Sequence, residues 1–88
     1  MTLTWSKERQ AELYRRNAHK SFRRLVRWMK ENEDLIIAEG EKRSLGIGFE
    51  QYGDASYHLT YQQLVQGRLE EVADAVKYGE IIISKGWT

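Results

Sequence analysis

Two stretches of the chain repeat apolar residues at helical intervals, and a glycine-punctuated stretch separates them. In the first, Ala11, Ala18 and Leu25 recur every seven residues, with Tyr14, Phe22, Met29 and Ile36 beside them. At 100° per residue these positions make one apolar stripe. The spacing predicts a helix over about residues 6–39, long for so small a chain. Gly40 suits its end, because glycine readily follows a last helical turn in the left-handed conformation. In the second stretch Tyr61, Leu64, Val65, Leu69, Val72, Val76, Ile82 and Ile83 carry the period. Thr60 stands three residues before Gln63 as in a capping box, and Leu59 can staple onto Leu64. At the far end Lys85 suits the negative pole of the helix, Gly86 a left-handed stop, and Trp87 a return onto Ile82. A helix over about 60–85 follows. Gly67 and Gly79 lie inside it at a cost of roughly 1 kcal/mol each, which points to close helix–helix approach at both.

Residues 40–59 break the pattern. Gly40, Gly46, Gly48 and Gly53 predict an irregular connection, with a possible helical turn at "EKRSL" and a turn at "YGD". Gly46-Ile-Gly48 lacks the spacing of a phosphate-binding loop. The expected fold is therefore all-α, a single helical domain of two long antiparallel helices around a glycine-rich connection. One such hairpin leaves apolar surface open. Trp28, Ile81 and Trp87 are the residues expected there, and pairing of two chains into a dimeric four-helix bundle would cover them.

Composition narrows the chemistry. The 88 residues include no cysteine, which removes disulfides, thiolate metal sites and a cysteine nucleophile. His19 and His58 alone, without an HxxxH spacing, make zinc an unpromising ligand. No run approaches the ~18 apolar residues of a membrane span, and "MTLTWSKERQ" has no signal-peptide apolar region, so the expected location is the cytoplasm. Net charge is +1, but residues 1–30 carry nine Lys/Arg against two Asp/Glu, while residues 31–88 carry five against eleven. Either the basic half meets an anionic partner, or the two halves satisfy each other within or between chains.

The basic half concentrates its charge on one line. Arg9, Arg16, Lys20, Arg23, Arg27 and Lys30 follow each other at three-, four- and seven-residue steps, opposite the apolar stripe. Glu12 can pair with Arg16 one turn on. Such a line can track phosphates or an acidic protein surface, and arginine favours bidentate contacts to either. Trp5 and Tyr14 could add base stacking. A sequence pI of about 8.0, below the ~9 of a typical nucleic-acid binder, and the lack of helix-turn-helix spacing weigh toward an acidic protein. The plainest reading is an exposed helix face neutralised by a partner chain. A membrane-surface or groove-binding helix ranks below these.

The stretch "RLEEVADAVKY" holds the other candidate chemistry. Glu70 and Asp74 share the polar side of the second helix, Glu71 flanks it, and Lys77 neighbours Glu70 and Asp74. Pairs of this spacing are ordinarily a solvated face. Residues 70–78 also resemble the ExxD helix of MazG-like nucleoside triphosphate pyrophosphohydrolases, with Glu71 and Asp74 in the motif positions and "AVKY" as its continuation. The upstream "YGDASYHLT" resembles the lead-in to such a helix in small phage-encoded proteins. That resemblance implies a bundle of four helices, an oligomer, Mg²⁺ as cofactor and cleavage between α and β phosphates. The family's facing ExxE pair has no counterpart here; Glu31, Glu33, Asp34, Glu39 and Glu41 are the nearest substitutes, and Gln66-Gly67 stand where an upstream acid belongs. Two carboxylates alone hold Mg²⁺ poorly. The reading that follows is a small non-enzymatic interaction protein, such as a phage or mobile-element inhibitor, with a MazG-like enzyme, intact or degenerate, as the alternative. Arg68 falls on the apolar side of its helix, where it would snorkel and pair with an acid such as Glu31 or Glu33. His19, Ser21 and Ser56 have no partner that would make them catalytic.

Overall fold

The computed structural model describes residues 5–87, and every element in it is helical. Residues 1–4, part of the segment read for a signal sequence, and Thr88 lie outside the described residues. In chain order the elements are α1 (Lys7–Glu31), α2 (Glu33–Leu45), α3 (Ile47–Tyr52), a 3₁₀ turn (Ala55–His58) and α4 (Tyr61–Ser84).

Local chemistry sets the ends of the two long helices. Ser6 caps α1 by accepting from the Arg9 N–H at 3.1 Å. Thr60 and Gln63 form the reciprocal capping box of α4, at 3.2 and 2.8 Å. α4 stops as its sequence predicts. Gly86 has φ +73°, its N–H donates to the Ile83 carbonyl, and the Trp87 N–H donates to the Ile82 carbonyl, each at 3.0 Å. These two bonds are the Schellman pair.

The first helix is shorter than its periodicity predicts, and the connection is not irregular. α1 ends at Glu31 because Asn32 turns on the preceding turn. Its side-chain Nδ2 donates to the Trp28 carbonyl at 2.8 Å, and its backbone N–H reaches both Trp28 and Met29 carbonyls. Asparagine side chains compete for backbone partners in this way. Helix resumes at once as α2, and Gly40 lies inside it rather than after its end. The expected turn at "EKRSL" is the last part of α2. α2 closes at Gly46, α3 follows, and Gly53, at φ +59°, begins the turn before the 3₁₀ segment. Residues 40–59 are thus mostly helical, not a loose loop.

α1 and α4 run antiparallel and form the main contact. Their crossing is at Ser21 and Gly79. Ser21 is buried and its hydroxyl donates to the Val76 carbonyl at 2.6 Å. A Cβ on Gly79 would collide with that hydroxyl, so this glycine is what lets the helices meet. Gly67 differs: a Cβ there meets nothing within 4 Å, and the close approach expected at it does not occur within the chain. Val76 faces inward as expected, but Val72 is 37% exposed. Val76 is the one buried apolar side chain among the described residues, beside buried Ser21 and Glu80.

The molecule is correspondingly open. Its Cα radius of gyration is 16.1 Å, against about 12 Å for a globular chain of this length. Its accessible surface is 8124 Å² for a 10.4 kDa chain. A monomeric globular protein of that mass exposes about 5,400 Å².

Candidate binding surfaces

The basic line of α1 is continuous and free. Arg9, Arg16, Lys20, Arg23, Arg27 and Lys30 are all exposed. Between Arg9 and Lys30 the helix rises about 32 Å. The pair expected with Glu12 forms, Arg16 Nη2 lying 2.9 Å from Glu12 Oε1. Arg9 also sits over the Trp5 ring, 5.3 Å from its centroid. None of the other four takes part in an ion pair among the described residues. The α1 face turned to α4 carries Tyr14 and Ser21, on the other side of the helix, so the charges look into solvent.

Two hollows lie along the α1–α4 seam. The larger, about 570 Å³, is open and mostly apolar, with Leu25 and Trp28 from α1 and Ala75, Tyr78 and Ile82 from α4; Arg24, Arg27 and Glu31 edge it. The smaller, about 430 Å³, lies between Trp5 and Gln10 at the start of α1 and Lys77, Glu80, Ile81 and Lys85 of α4. Of the residues expected on the open side, Trp28 and Trp87 are more than half exposed, whereas Ile81 is half-buried in the smaller hollow.

Glu80 is the polar residue that the sequence pattern misses. It is 2% exposed, and Lys77 Nζ lies 3.2 Å from its Oε1, while Oε2 has no hydrogen-bond partner among the described residues. Lys77 therefore turns toward Glu80 and the Tyr14 ring, 5.5 Å from its centroid, rather than toward Glu70 and Asp74. The missed signal was the place of Glu80 one turn beyond Val76, on the side that meets α1.

The carboxylates of the MazG-like motif lie elsewhere. Glu70, Glu71 and Asp74 are exposed, and Glu70 is touched by Gln66 Nε2 at 3.5 Å. Among the described residues no three His, Cys, Asp or Glu side chains gather as a metal site would need. Arg68 is exposed and has no ion pair among the described residues, so the expected link to Glu31 or Glu33 is not made within one chain. His58 pairs with Asp54 at 2.9 Å, both exposed, and His19 is exposed on α1. Ser21, which has no evident base to make it catalytic, is the buried contact of the helix crossing. No described helix is long and apolar enough to cross a membrane.

Comparisons with protein-family models, with curated proteins and with solved structures find no match to this chain.

Proposed function

We propose that the protein is a non-enzymatic interaction module, a homodimer that offers the basic face of α1 to an acidic protein surface. One observation carries this reading: six cationic side chains stand exposed along about 32 Å of one helix, and all but Arg27 lie clear of the hollows in the seam. Four of the six are arginines, which suit bidentate pairing with carboxylates. The dimer rests on the surface excess and on exposed Trp28 and Trp87. Within this reading Glu71 and Asp74 are a solvated helix face.

Charge reversal of the stripe tests it. Arg16→Glu with Arg23→Glu should abolish capture of acidic protein partners and leave helicity and dimer mass unchanged in circular dichroism and light scattering. Retention on nucleic acid that falls with the same variant, without loss of any protein partner, would assign the stripe to phosphates instead. Capture unchanged on both counts leaves only a solvated face. Release of pyrophosphate from nucleoside triphosphates with Mg²⁺, lost in Asp74→Asn, would turn the reading toward the enzyme.

A further inference from the structure

On the N-terminal side of the Ser21–Gly79 crossing, the start of α4 keeps its apolar residues exposed. Leu64, Val65 and Leu69, on one α4 face, are 50%, 47% and 61% exposed. In the same chain α2 contacts α3, its neighbour in sequence, touches α1 little and makes no substantial contact with α4. Its first turns read "EDLIIA": two acids, then Leu35 and Ile37, which are 68% and 65% exposed.

These two bare segments complement each other. The α4 face is apolar with one cation in it, because Arg68 falls by helical spacing between Leu64, Val65 and Val72. The α2 start is apolar with two acids, Glu33 and Asp34, directly before its leucine and isoleucines. Each offers what the other lacks, a charge to pair and apolar area to bury.

The two do not meet within one chain, and area says what supplies the other half. The chain exposes about 2,700 Å² more than a monomer of its mass should. Obligate homodimers bury about 2,000–5,000 Å² in total, half from each partner. A second copy would remove about 1,000–2,500 Å² from each chain, most of the excess at the upper end, and it brings the acidic-apolar segment that the α4 face requires.

We infer that the dimer forms by reciprocal exchange: the first turns of α2 of each chain dock on the Tyr61–Val72 face of the other chain's α4, with Glu33 and Asp34 against Arg68. This rests on the homodimer reading above and specifies its contact. The exchange leaves the basic line of α1 outside the interface, so one chain can pair with its copy and still present that line.

The absence of native cysteine makes the contact easy to test. A chain carrying Ile37→Cys is mixed with a tagged chain carrying Val65→Cys and oxidised mildly. A covalent mixed dimer is expected in several-fold higher yield than with Asp74→Cys, on the polar side of α4, replacing Val65→Cys. The double variant Ile37→Cys/Val65→Cys reports the alternative: a disulfide within a single chain, running as monomer on a denaturing gel, overturns the exchange. Arg68→Glu should weaken dimerisation at least tenfold, and Glu33→Arg/Asp34→Arg in the same chain should restore it; no restoration overturns the pairing. Light scattering of the unaltered protein separates the two levels. A monomer removes both the homodimer reading and the exchange, whereas a dimer without the 37–65 cross-link removes the exchange alone.

Discussion

Glycine identity in α4 has opposite meanings at two positions. At Gly79 a methyl group would strike the Ser21 hydroxyl, which is itself fixed on the Val76 carbonyl. Gly79→Ala should therefore cost about 1–3 kcal/mol through overpacking, despite its better helix propensity. At Gly67 the space is open, and Gly67→Ala should stabilise by about 0.5–1 kcal/mol. Urea denaturation of the two variants checks both signs, and Ser21→Gly should recover part of the Gly79→Ala loss. The buried carboxylate makes a second prediction at this scale. Lys77 is the one cation that Glu80 pairs with among the described residues, so Lys77→Met should destabilise by about 1–3 kcal/mol. Glu80→Gln, which removes the buried charge itself, should cost less. Equal losses in the two denaturation curves would mean that the pair is not what holds Glu80 inside.

Helix ends were legible in the sequence where they depend on local chemistry. Thr60 with Gln63, and Gly86 after Ser84, mark the limits of α4, because caps are made by residues within a turn of each other. The break at Asn32 was hidden, since the apolar period passes through it from Met29 to Ile36. A polar side chain that bonds to the carbonyl four residues back leaves the hydrophobic pattern intact and still interrupts the helix. Gly40 misled for the complementary reason: it resembles a stop but sits exposed inside α2, where the cost of glycine is modest. Asn32→Ala should fuse α1 and α2 into one rod spanning residues 7–45. Helical Cα chemical shifts running unbroken through residues 31–34 would show it, and a persisting break would assign the interruption to packing.

At the scale of the molecule, the all-α class followed from periodicity, and the antiparallel pairing of the long helices from the connection that joins them. The basic line was equally readable, because exposed charges on one helix need only the spacing of that helix. The orientation of the seam was not. The widest apolar stripe of α1 includes Phe22 and Met29, yet these stay 50% and 38% exposed while Ser21 takes the contact. Close packing at a glycine favours a small partner over a large apolar one, and such a preference leaves no mark in hydrophobic spacing. The same choice explains why Glu80 is buried and Leu69 is not.

A crossing held at one serine and one glycine also divides α4 in time. Backbone amides beyond it, around Val76 and Glu80, are shielded by α1, whereas Leu64, Val65 and Leu69 stay 47–61% exposed, with no second long helix across them among the described residues. Opening costs in a protein follow such shielding. Hydrogen exchange on a diluted sample should therefore show one helix with two lifetimes, the early turns trading protons well before the late ones. As protein concentration rises, the early turns should slow toward the late ones, and the helix should come to behave as a single unit only in company. Uniform exchange along α4 at every concentration would mean that its two halves already open together in the single chain.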